Sequence, residues 1–105
     1  MSLKILIVDP IHQFALEELS NTYNVVNKIH PKRNELLSLI SQTEVLIIRS
    51  GVKLDANIID NAKKLKLIVR AGSGLDNIPV EYCKTKKIEV FNIPNTSYSS
   101  VAEFT

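Results

Sequence analysis

Apolar residues in this chain follow two alternating rhythms. Continuous runs without polar alternation, Lys4-Ile5-Leu6-Ile7-Val8, Glu44-Val45-Leu46-Ile47-Ile48-Arg49 and Leu65 to Val69, predict strands buried on both faces. A weaker, more polar run from Tyr23 to Asn27 predicts an edge strand, and Ile88 to Phe91 a fifth strand ended by Pro94. Between these runs the spacing turns helical. Ile11, Phe14, Ala15 and Leu19 share one face, as do Leu36, Leu37 and Ile40 within Pro31 to Ser41, then Ile58, Ile59 and Ala62, then Val80 and Cys83. Asp9-Pro10 supplies an N-cap and a first helical residue, Asp55 a cap for the third helix, and Pro79 a start for the fourth. Strands and helices alternating at this pace predict an α/β fold, a doubly wound parallel sheet with right-handed crossovers. The simplest five-stranded order is 2-1-3-4-5, the flavodoxin-like arrangement.

In such sheets ligands sit beyond the carboxyl ends of the strands, where Asp9, Arg49-Ser50-Gly51, the glycine loop and Asn92 to Ser97 collect. The loop, Ala71-Gly72-Ser73-Gly74-Leu75-Asp76-Asn77, holds two of the three glycines. Without Cβ atoms, Gly72 and Gly74 let successive N–H groups converge on a carboxylate or phosphate, although an ordinary strand-to-helix turn has the same composition. Arg49 is either a fixed positive fork for an oxyanion or a charge snorkelling from a strand end, and Ser50 adds a hydroxyl beside it. Arg70 is expected to pair with Asp76 across the loop. Three or four contacts of this kind, at about 1 to 2 kcal/mol each, correspond to binding near the millimolar range. That is half a site.

At 105 residues and 45% hydrophobic the chain fits one domain with one core. Its net charge of +2 comes from dispersed basic residues, which argues against nucleic acid as a partner. Apolar runs are too short for a bilayer, Asp9 interrupts any signal-peptide core, and the single Cys83 reads as a small core residue, so a cytoplasmic, membrane-free protein is expected. Catalytic groups are scarce. His12 and His30 read as surface residues without an evident acid partner, Glu17-Glu18 as solvated, and Asn95, Ser97, Ser99 and Ser100 as turn and cap residues. The loop lacks the third glycine of a dinucleotide fingerprint, Asn77 standing in that place. No metal site is expected, and no catalytic residue is assigned.

The order of motifs resembles a family. Val69-Arg70-Ala71-Gly72-Ser73-Gly74-Leu75-Asp76-Asn77, then Val90-Phe91-Asn92-Ile93-Pro94 and Ser100-Val101-Ala102-Glu103, with Ile47-Ile48-Arg49-Ser50 before them, resemble the amino-terminal substrate domain of D-isomer-specific 2-hydroxyacid dehydrogenases. The nearest likeness is to members that oxidise 3-phosphoglycerate in serine synthesis. The resemblance implies that Gly72, Ser73 and Gly74 hold a substrate carboxylate and that Arg49 and Ser50 lie near its phosphate end. It implies a substrate domain over residues 1–98 and, at 99–105, the start of a helix crossing to a Rossmann domain that carries the NAD site and the catalytic histidine. NAD is thus expected for the longer enzyme and not for this chain alone, with a homodimer as a further expectation. Seven residues of helix do not stand alone, which suggests a chain cut or encoded short. Ser97, Pro79 and Lys87 depart from the family pattern, where asparagine, aspartate and glycine are usual. Two readings of other classes remain: a small-acid sensor, and a receiver-like signalling module, for which Pro10 and Arg49 stand where acids are needed.

Overall fold

The computed structural model describes residues 3–49, 51–71 and 77–93. Five parallel strands, β1 (Lys4–Ile7), β2 (Asn24–Asn27), β3 (Val45–Ile48), β4 (Leu67–Ala71) and β5 (Glu89–Ile93), form one sheet in the order β2-β1-β3-β4-β5. Helices α1 (Gln13–Thr22), α2 (Arg33–Ile40), α3 (Ala56–Asn61) and α4 (Val80–Thr85) fill the connections in turn. The doubly wound order expected from the apolar runs is the one observed.

Register divides the sheet into two faces. Leu6, Leu46, Ile68 and Val90 lie in one row across β1, β3, β4 and β5, and the first three are at most 1% exposed. They pack with Leu36 and Ile40 of α2, Ile58 and Ile59 of α3, and Cys83 of α4 into the main core. Truncating a central member such as Leu46 to alanine removes about 2 to 5 kcal/mol of stability. The neighbouring row, Ile7, Ile47, Val69 and Phe91, faces the other way, and its burial falls from complete at Ile7 to 63% exposure at Phe91. Right-handed crossovers require this asymmetry: β1 to β2 runs opposite to the later steps, so among the described helices α1 alone lies on the second face. Burial on both faces, expected for the run from Lys4 to Val8, holds for Ile5 through Val8.

The first helix departs from expectation in two ways. It contains no buried residue, Phe14 is 53% exposed, and Ala15 and Leu19 are only half-buried. It begins at Gln13, not after Asp9-Pro10, and its N-cap is His12, whose Nδ1 accepts the Phe14 N–H at 3.1 Å. Asp9 is drawn into the sheet edge instead. Asp55 does cap α3, its Oδ1 accepting the Ile58 N–H at 3.0 Å, whereas Pro79 occupies the N-cap of α4 and not its first turn. Cys83 is fully buried, and burial pushes its thiol pKa up, as suits a core residue. Among the described residues no helix is long and apolar enough to cross a membrane.

Candidate functional site

Parallel strands deliver their C-terminal residues to one edge, and the polar side chains there bond mainly to one another. Asp9, two residues past β1, is 2% exposed. A buried carboxylate needs donors, and among the described residues it has two. The Arg49 main-chain N–H donates to its Oδ2 at 2.6 Å, and His30 Nε2 donates to its Oδ1 at 2.7 Å. His30 follows β2, next to β1 in the sheet, and takes a left-handed backbone with φ 46° while its N–H donates to Val8 O at 2.8 Å. Its side chain is half-exposed, yet it has the acid partner that sequence reading did not assign. The signal was available: once β1 and β2 are neighbours, the residues just past their ends must meet.

Gly51 completes this corner. A Cβ there would lie 2.2 Å from Asp9 Oδ1 and 2.3 Å from His30 Nε2, so only glycine fits against the pair.

Arg49 lies directly beyond β3 with its side chain exposed. Its Nη1 donates to Pro10 O at 3.2 Å, which keeps the guanidinium on the carboxyl edge, beside the end of β1. The Arg49 carbonyl accepts from Asn77 Nδ2 at 2.6 Å, so the peptide group on each side of Arg49 is held by a side chain. Arg70, 6% exposed at the end of β4, donates from Nε to Asn77 Oδ1 at 2.7 Å. Asn77 is thus an observed partner of Arg70, while Asp76, the expected one, lies outside the described residues. So do Ser50, Gly72, Ser73 and Gly74, and the stretch 94–105 with Ser97. Of the five substrate-binding candidates the structure locates Arg49, and it brings Asp9, His30, Gly51, Arg70 and Asn77 around it.

Chemically this edge offers a cation, Arg49, whose backbone is held on both sides, an arrangement that suits an anion. Among the described residues no three His, Cys, Asp or Glu side chains come together as a metal-binding group. A dinucleotide site packs its helix tightly against its first strand. Where its fingerprint has a third glycine for close helix packing, Asn77 is committed by its side chain to Arg70, Arg49 and Val52. The Asp9 carboxylate, which a receiver module would leave open for magnesium, is closed off by Arg49 and His30.

Residues 5–105 match the family model described as the D-isomer specific 2-hydroxyacid dehydrogenase catalytic domain. The chain is 44% identical over 102 residues to a D-3-phosphoglycerate dehydrogenase of Methanocaldococcus jannaschii, covering 97% of this chain and 20% of that protein. It is also 44% identical over 96 residues to a hydroxypyruvate reductase of Thermotoga maritima, covering 90% and 31%. Among solved structures, the NAD+-bound 3-phosphoglycerate dehydrogenase of Entamoeba histolytica superposes with a TM-score of 0.80 at 33% identity, over 99% of this chain and 37% of that one. The PH0520 protein of Pyrococcus horikoshii superposes with a TM-score of 0.85 at 30% identity, over 100% and 32%. The chain therefore spans between a fifth and about two fifths of the length of these relatives. With the strand order and the sequence match agreeing along almost its whole length, the chain belongs to the D-isomer specific 2-hydroxyacid dehydrogenase family.

Proposed function

We propose that this chain is the substrate-binding part of an NAD-dependent oxidoreductase of D-2-hydroxy acids, with 3-phosphoglycerate as its substrate. The observation that carries the reading is Arg49, an exposed guanidinium whose own peptide groups are clamped by Asp9 and Asn77 on the carboxyl edge of the sheet. An arginine so held presents a fork to a phosphate without first having to order its backbone. In this reading Ser50 assists Arg49 at the distal phosphate, and the main-chain amides of Gly72, Ser73 and Gly74 take the carboxylate. Residues 1–98 are then the substrate domain, with 99–105 beginning the crossing to a nucleotide-binding domain. Hydride transfer requires a cofactor and a base set against the same carbon, and this reading gives both NAD and the catalytic histidine to that other domain.

Titrating 3-phosphoglycerate into the 15N-labelled chain tests this. Saturable shifts of the Gly72, Ser73, Gly74 and Arg49 amides near millimolar ligand are expected, with weaker responses to D-lactate, which lacks the phosphate, and to hydroxypyruvate. Absence of saturable shifts up to tens of millimolar, or an equal response to all three acids, overturns the assignment.

A further inference from the structure

Asn77 makes more contacts across the carboxyl edge than any function assigned to it requires. Its amide nitrogen donates to Arg49 O at 2.6 Å and to Val52 O at 2.8 Å, the residues on either side of positions 50 and 51. Its Oδ1 accepts from Arg70 Nε at 2.7 Å, and its main-chain carbonyl accepts the Leu54 N–H at 2.9 Å. Both side-chain donors and the side-chain acceptor are therefore used. Arg70 is the next-to-last residue of β4 and Asn77 follows the 72–76 stretch, so their bond ties together the two ends of the segment that carries Gly72, Ser73 and Gly74. One amide thus links Arg49 and Val52 to Arg70.

A residue needed only for stability would be expected to join whichever elements lie nearest. Asn77 joins Arg49, which in the reading above meets the distal phosphate, to Arg70 near the end of β4. 3-Phosphoglycerate carries its carboxylate and its phosphate on a three-carbon frame, so an enzyme that reads both must keep the groups that hold them at a set separation. We infer that Asn77 is a positioning residue: it holds the Arg49 and Val52 main chain against Arg70 near the end of β4, and thereby sets the preference for an acid with a distal phosphate over one without. The inference rests on the proposed ligand, but the coupling of Arg49 to Arg70 does not.

Asn77→Asp is the discriminating variant. It keeps an oxygen for Arg70 Nε and sets a second oxygen against the carbonyls of Arg49 and Val52, so the strand-side bond survives and the turn is released. Asn77→Ser, which retains one donor, serves as a milder second variant that keeps the test alive where the first does not fold. Dissociation constants for 3-phosphoglycerate and D-glycerate are read from amide shifts of the 105-residue chain, with urea unfolding as a parallel measurement. The expected result is a tenfold or greater loss of affinity for 3-phosphoglycerate with less than a threefold change for D-glycerate, and a smaller effect in the same direction for the serine variant. Equal losses for both ligands, as a merely structural role would give, overturn the inference. Ligand-free amide exchange separates the two proposals: Gly51 and Val52 are expected to exchange at least tenfold faster in Asn77→Asp, and unchanged rates overturn the positioning role even where the wild-type chain binds. Wild-type protein that binds neither acid overturns the functional reading, while faster exchange there still supports the coupling.

Discussion

Asp9 Oδ2 accepts the main-chain N–H of Arg49 at 2.6 Å, across 40 residues of sequence, so a buried acid after the first strand fixes the backbone of the cation after the third. The same carboxylate takes His30 from the neighbouring strand end. Three strand termini therefore meet on one side chain, and the loop that presents Arg49 is built on it.

Replacing Asp9 should be felt well beyond its own position. Asp9→Ala leaves the Arg49 N–H and the His30 side chain without their acceptor, and a buried donor left unmet costs about 1 to 3 kcal/mol. Urea unfolding should show a loss of that size, and Arg49 amide shifts on adding 3-phosphoglycerate should shrink. A variant with wild-type stability and wild-type titration would show that the carboxylate organises nothing.

Gly51→Ala tests the same corner from the other side. Its Cβ would overlap Asp9 Oδ1 and His30 Nε2, forcing that pair apart. Overpacking of this kind costs about 1 to 3 kcal/mol, and the His30 ring resonances should move with it. Unaltered His30 resonances would mean that the turn yields instead of the pair.

What the sequence revealed and what it hid divide along contact distance. Strands, their order and the α3 cap were legible because an apolar run, a crossover rule and Asp55 three residues before Ile58 are local signals. The carboxyl-edge network was not, because its bonds join residues 21, 28 and 40 positions apart and exist only once the strand order is known. Asp9-Pro10 has the form of a helix start, and local reading placed it there. The competing demand, an acceptor for the Arg49 N–H, lies 40 residues away and prevailed. The exposed Phe14 face of α1 has the same origin, since helical periodicity identifies a face but not what covers it.

Lys87 carries a helix ending that suits glycine. The Ile88 N–H donates to Cys83 O at 3.0 Å and the Lys87 N–H to Lys84 O at 3.1 Å, the paired bonds of a Schellman ending, with Lys87 itself at φ 62°. A side chain in that left-handed region costs about 1 kcal/mol, partly offset by the greater unfolded freedom of glycine. Lys87→Gly should therefore raise the unfolding midpoint by a few degrees. A lower midpoint would show that the lysine contributes more through its side chain than its backbone loses.

The 105-residue chain given NAD and 3-phosphoglycerate should produce no NADH absorbance. The proposed reading gives the cofactor site and the catalytic histidine to another domain, and the Asp9–His30 pair is packed against Gly51. Steady turnover from the purified chain would require a cofactor site among residues that this reading gives to substrate alone.

Acid should weaken the fold through three carboxylates on its helical face. Asp55 is held below the usual carboxylate range first by hydrogen bonds from Arg33, at 2.7 and 3.2 Å, and then by the Ile58 N–H. Glu35 is lowered first by the Lys32 N–H and then by Lys28, and Asp60 first by the Tyr82 hydroxyl and then by Lys86. Each folded pKa lies below its unfolded value, so the folded state binds fewer protons between the two, and the stability these groups add is complete only above about pH 5. It is lost as pH falls through the depressed values. The urea midpoint should therefore decline from about pH 5 downwards, and 1 M salt should reduce the effect, because exposed ion pairs are screened. Asp55→Asn removes one of the three titrations and should make the acid decline shallower while lowering stability at pH 7. An unchanged slope in that variant would mean that the link between α2 and α3 through Arg33 and Asp55 adds nothing to the folded state.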